Sequence, residues 1–211
     1  MPTEISTAEE RRRREVGRTQ QDILEATARV YARHGFEGTT VRRIAEEAGY
    51  TPAALYSYFQ GKEDILDGLR QRMRQSLLET FDVRQMPRLA FADQLELLLM
   101  RQLELVQDQW HSFLFFFLLR CEGPGLKPHL TDPQTGFAVV QARLHDWLLA
   151  AGAQEALTIP ADQAADILVG LMVGMFRGML RHQGSEPAAE VAHRVVSVFL
   201  HGAGNVARSP E

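Results

Sequence analysis

Apolar residues recur at three- and four-residue intervals along almost the whole chain, and no strand-like alternation lasts long enough to build a sheet. The pattern predicts an all-α protein of about nine helices. Residues 1–17 are polar and read as a flexible arm, although the arginine run at 11–14 also suits a helix. Ile23, Ala26, Thr27, Val30 and His34 share one face of a helix over 19–34. Gly35 suits a left-handed cap there, with Phe36 folding back on Val30 or Tyr31. Val41, Ile44, Ala45 and Ala48 form the apolar stripe of a second helix, and Arg42, Arg43, Glu46 and Glu47 point outward. Gly49 ends it. Thr51 is an N-cap type, Pro52 is preorganised for a first helical position, and a third helix over 52–58 is anchored by Leu55 and Phe59.

A fourth helix over 62–81 carries Leu66, Leu69, Met73 and Leu77. Met86-Pro87 breaks the pattern. Further helices are expected over 89–109, 111–121, 134–151, 160–182 and 187–205, punctuated by Gly123-Pro124-Gly125, Gly152 and Gly184. Thr131-Asp132-Pro133 leads into the helix of Phe137, Val140, Leu144, Trp147 and Ala151. The division expected is a flexible arm at 1–17, a helix-turn-helix domain at 18–66 and a helical C-terminal domain at 67–211.

Charge looks unsuited to a nucleic-acid partner until it is divided. The chain carries a net −4, but residues 1–62 hold ten Arg/Lys against nine Asp/Glu, and the acid lies further on. The apolar runs Phe113–Leu119 and Ile167–Phe176 are shorter than the roughly 20 residues of a membrane span. With a single cysteine, Cys121, and no visible secretory signal, a cytoplasmic protein without a membrane partner is expected. No Gly-rich phosphate loop, HExxH or GxSxG is present and the seven histidines are scattered, so neither an enzyme nor a metal or other cofactor is expected.

The segment 39–62, TTVRRIAEEAGYTPAALYSYFQGK, has the spacing of a reader that lays one helix in the major groove and braces another across the backbone. Thr51, Pro52, Ala53, Ala54, Tyr56, Ser57 and Tyr58 lie away from the Leu55/Phe59 anchor. Small side chains allow close approach and contact with thymine methyls, and tyrosine hydroxyls reach phosphates. Arg42 suits a guanine edge or a phosphate. Lys62 opens a helix, where a cation opposes the dipole unless an anion joins it. Arg11–Arg14 read either as a minor-groove arm or as a solvated tail.

From Ile23-Leu24-Glu25-Ala26 through Tyr31-Ala32-Arg33-His34-Gly35-Phe36, Thr39-Thr40-Val41, Ile44–Gly49 and Leu55–Leu66, the chain resembles the N-terminal DNA-binding domain of TetR-family transcriptional regulators. The resemblance implies a homodimer with a divergent ligand-binding and dimerisation domain. It puts Thr40, Arg42, Thr51, Pro52, Ala54, Tyr56, Tyr58 and Lys62 on the operator side. Ser57 stands where a bulkier aromatic or histidine is frequent, and Tyr50 where a small aliphatic is usual.

Gly170, Gly174 and Gly178 share one helical face, although each glycine costs a helix roughly 1 kcal/mol against alanine. With the amphipathic last helix of Val191, Val195, Val198 and Phe199, they suggest a helix-pair interface. In the TetR-like arrangement this is the dimer contact, which makes the operator a near-palindrome. Trp110, Phe113, Phe117, Phe137, His145, Trp147, Met172 and Phe176 read either as core or as the lining of a pocket for a small hydrophobic effector, with Arg120, His145 and Arg177 as polar anchors. The expected function is a repressor released by such a ligand. The alternative is an activator answering a ligand or, through Cys121, redox state.

Overall fold

The computed structural model describes residues 3–82, 89–121, 137–182 and 186–203. Met86-Pro87, Gly123-Pro124-Gly125, Thr131-Asp132-Pro133 and Gly184, expected as breaks, lie outside these residues, as do the side chains of Arg120, Cys121 and Phe137. Ten helices are formed: α1 (Thr3–Gly38), α2 (Val41–Ala48), α3 (Pro52–Leu55), α4 (Lys62–Glu79), α5 (Phe91–Asp108), α6 (Trp110–Cys121), α7 (Phe137–Ala150), α8 (Ala153–Ala156), α9 (Ala161–His182) and α10 (Ala188–Ala203). The expected all-α fold is observed. The one-turn α8 was not foreseen, being too short to show a period.

The chain divides into two compact units, residues 1–73 with 110–131, and residues 74–109 with 132–211. In the first unit, Ile23, Leu24, Ala28 and Tyr31 of α1 form a core with Ile44, Ala45, Leu55, Ile65, Leu66 and Leu69. α6, expected in the C-terminal domain, contributes Phe115 to this core. Its ring meets Tyr31 edge-on at 4.8 Å between centroids.

α1 begins at Thr3 rather than near residue 19. Residues 9–18 lack an apolar stripe, which is why periodicity overlooks them. Glu and Arg are nonetheless good helix formers, and Glu10 and Arg14 pair at 3.5 Å one turn apart. Gly35 interrupts the helix with φ 64° and ψ −172°, a combination almost confined to glycine and more extended than the left-handed cap expected. The following turn is tied by Thr39, whose hydroxyl donates to the Gly35 carbonyl at 2.7 Å. His34, placed on the buried face by its spacing, is exposed because it falls at this break.

In the second unit α10 packs on α5, and α9 packs on α7 and α10. Leu95, Leu98, Leu99, Leu103 and Val106 of α5 are buried, as are Leu144, Trp147 and Leu148 of α7. His193 of α10 and Glu96 of α5 lie 3.1 Å apart on the surface. By length and composition alone α9 would cross a membrane over Ala161–Leu180. Its Leu168, Val169, Met172 and Phe176 are buried against the chain's own helices, while Ile167, Gly170 and Gly174 are exposed.

Candidate nucleic-acid interface

The local sequence sets α2 and α3 with capping groups at nearly every open end. Thr40 has an extended backbone, and its hydroxyl accepts from the Arg43 N–H at 3.3 Å. At the other end, Gly49 takes φ 76° and ψ 25°; its N–H donates to the Glu46 carbonyl and that of Tyr50 to the Ala45 carbonyl at 2.9 Å. This paired closure needs a left-handed residue, which glycine supplies without a Cβ clash. Two residues on, the Thr51 hydroxyl accepts from the Ala54 N–H at 3.2 Å and Pro52 opens α3. α3 itself is one turn long, and residues 56–58 continue it as a turn through Tyr58 N–H to the Leu55 carbonyl at 3.0 Å.

Leu55 is the only α3 side chain in the core, and Tyr50, Tyr58 and Phe59 pack partly against it. This leaves Thr40, Arg42, Thr51, Pro52, Ala53, Tyr56 and Ser57 exposed, with Tyr56 at 59%. Ala54 and Tyr58, expected to project freely, are half-buried. Arg42 holds only Glu46, one turn along α2, at 3.0 Å, and its side chain remains open to solvent. Thus the predicted residues form one lightly charged surface, backed by the core of the first unit.

Two residues have internal roles that local pattern does not reveal. Glu47, expected to face outward, accepts from Arg29 at 2.8 Å and from Arg33, both on α1. These hydrogen bonds, Arg29 first, hold its carboxyl below the usual range. The pair of arginines therefore fixes α2 across α1. Lys62 reaches back 26 residues, donating from Nζ to the Phe36 carbonyl at 2.6 Å with the ammonium 3.9 Å from the centre of the Phe36 ring. The compensation expected from a phosphate is supplied within the chain. The i-to-i+4 spacing of Arg29 and Arg33 was a visible signal for the first contact. Nothing in the sequence indicates the second.

The remaining candidates separate by unit. Phe113 and Phe117 are buried in the first unit and stack at 5.8 Å, with Trp110 half-buried nearby in sequence. In the second unit Trp147, Met172 and Phe176 are buried and His145 is half-buried beside Asp146 at 3.5 Å. The Trp147 indole N–H is buried without a hydrogen-bond partner among the described residues. Arg177 is exposed. On α9, Gly170 and Gly174 are exposed and Gly178 half-buried. Val191, Val195 and Phe199, expected at an interface with another chain, are instead buried in their own unit. An apolar stripe shows that a face is covered, not what covers it. Val198 of α10 is exposed, at 56%.

A short helix anchored by one leucine, set by a three-residue turn against a capped brace, defines a helix-turn-helix protein. Residues 23–69 match the family model described as bacterial regulatory proteins, tetR family. The likeness to this family covers that N-terminal segment. The chain is 41% identical over 51 residues to the transcriptional repressor AcnR of Corynebacterium diphtheriae, a match covering 24% of this chain and 27% of the relative. It thus spans about a quarter of that relative's length in the alignment. Over 91% of this chain and 97% of the other, the fold matches the fatty acid degradation regulator FadR of Bacillus halodurans with a TM-score of 0.72 at 17% identity. It also matches SmeT, the repressor of a Stenotrophomonas maltophilia multidrug efflux pump, at 0.68 and 17% identity over 89% and 91% of the two chains. A triclosan complex of SmeT aligns at 0.71 and 19% identity, covering 90% and 93%.

Proposed function

We propose that this chain is a sequence-specific transcriptional repressor that binds duplex DNA as a homodimer at a near-palindromic operator and is released by a small hydrophobic ligand. The observation that carries the reading is the exposed surface of Thr40, Arg42, Thr51, Pro52, Ala53, Tyr56 and Ser57 on two capped helices. Small residues admit the helix to the major groove, Arg42 and Tyr56 reach base edges or phosphates, and the half-buried Ala54 and Tyr58 set its depth. Lys62 adds its charge from its seat on Phe36. The repressor named above, alike over 51 residues, supports the same activity here.

Pairing is supported by the glycine face of α9. A Cβ placed on Gly170, Gly174 or Gly178 would meet nothing within 4 Å, so the chain's own packing does not require glycine there. Ile167, at i−3 from Gly170, is 47% exposed, and Val198 on α10 is also open. A second copy packed against this face would cover them and use the absence of side chains. For the ligand, triclosan bound to the fold neighbour SmeT is a precedent. The unpartnered Trp147 N–H offers a polar anchor between apolar helices. α4 starts in one unit and ends in the other, so it is one covalent link through which a ligand-favoured conformation would shift the head.

Selection of bound fragments from genomic DNA by the purified chain tests the reading. Enrichment of one near-palindromic sequence, lost when the bound hydrophobic effector is added, is the expected result. Recovery of fragments with no shared sequence would overturn it.

A further inference from the structure

Residues 9–18 of α1 are exposed throughout. From residue 9 onward, Ile23 is the first buried residue of α1. Arg11–Arg14 and Arg18 are all exposed, and the charged helix projects them as a solid rod. Arg11, Arg14 and Arg18, with Glu15, line one open groove, whereas Arg12 and Arg13 line another with Glu9, Val16, Gly17 and Gln20. The first set is therefore one face of the helix. Arg14 meets only Glu10, in solvent, and Arg11 and Arg18 have no partner among the described residues.

Where this face points is fixed by its continuation. At about 100° per residue, positions 11, 18, 22, 29 and 33 form a single stripe of α1. Asp22 on that stripe accepts from the Tyr50 hydroxyl at 3.5 Å, and Arg29 and Arg33 hold Glu47. Tyr50 lies in the turn immediately before α3. The stripe thus passes along the α2 end and the recognition turn, and its free arginines carry the same side of the molecule outward. From residue 11 to residue 22 is about 16 Å of helix axis.

We infer that Arg11, Arg14 and Arg18 form a second DNA contact, lying along the phosphates beside the segment that α3 reads. The inference rests on the DNA-reading function proposed above. Duplex DNA presents about one negative charge per 1.7 Å of axis, so a stripe of this length faces several. A helix is about 10 Å across and does not fit bodily into a minor groove about 6 Å wide, so this is a backbone contact and not an inserted arm. It adds affinity without sequence preference.

The test is the salt dependence of binding of the full chain to a mixed-sequence duplex and to a selected one. In R11A/R14A/R18A the slope of log affinity against log salt falls by about 2 to 3, since each neutralised phosphate contributes about 0.9. Affinity falls by the same factor on both duplexes. R12A/R13A, on the other face, keeps the wild-type slope. Circular dichroism at wild-type strength establishes that the exposed substitutions leave the helix intact. An unchanged slope in the triple variant, with the wild-type chain still selecting its sequence, overturns this inference alone. An equal loss in R12A/R13A overturns the assignment to one face. A wild-type chain that selects no sequence removes the DNA-reading function and this inference together.

Discussion

Gly49 and Gly174 are the same residue doing opposite things. Gly49, in the head, is required by its own backbone: φ is 76° and the α2 cap closes around it. Gly174, in the second unit, lies in a regular helix where a Cβ would meet nothing. The contrast extends to the regions around them. In the head, Thr40, Gly49, Thr51, Leu55 and Lys62 each have a partner inside the fold. Much of what makes the motif recognisable is therefore the machinery that holds one short helix in place. The residues left over by internal packing, Arg42, Tyr56 and Ser57 on the head and Gly170, Gly174 and Ile167 on α9, are the ones that point to partners.

The largest effect expected from disturbing this division is in the head's core. Phe115→Ala should destabilise the first unit by about 3 to 5 kcal/mol, as truncation of a fully buried aromatic does. Chemical denaturation followed by hydrogen exchange in α1 and α2 measures it. Retained protection there would separate α6 from the head.

The glycines give the sharpest contrast. Gly49→Ala should cost about 1 to 2 kcal/mol because alanine resists positive φ. In dilute, monomeric protein Gly174→Ala should instead stabilise by about 1 kcal/mol. At higher concentration Gly174→Leu should weaken the dimer, read by sedimentation. Destabilisation of the monomer by Gly174→Ala would mean that the glycine serves the chain's own packing.

The smallest effect concerns Glu47. Its folded carboxyl is held low by Arg29 and then Arg33, so the pair stabilises the head above the ordinary carboxylate range and that contribution is lost as pH falls through the lowered value. For a pair this open to solvent, Glu47→Gln should cost below about 1 kcal/mol near neutrality. The difference from wild type should vanish in acid. A pH-independent difference would assign the effect to packing.

Legibility in the sequence followed the range of the interaction. Caps, turns and stripes act over four residues or fewer, and the expected starts and stops of α2, α4 and α9 agree with the observed ones to within two residues. Phe115 on Tyr31 and Lys62 on Phe36 join distant positions, which no local period encodes. The polar start of α1 was left open between an arm and a helix for another reason: it is helical by propensity, while periodicity registers only a buried face. The surface residues of the head were legible as a set. Which of them are half-sunk, Ala54 and Tyr58 among them, depended on the depth of Leu55 in the core.

The most direct measurement is a quantitative footprint of the purified chain on a duplex recovered by selection, with the protein-to-DNA ratio determined at saturation. Two chains per duplex, protecting two related half-sites about 34 to 36 Å apart, are expected of two heads joined through the α9 face. One chain on a single half-site, or uniform protection without a preferred sequence, would contradict it.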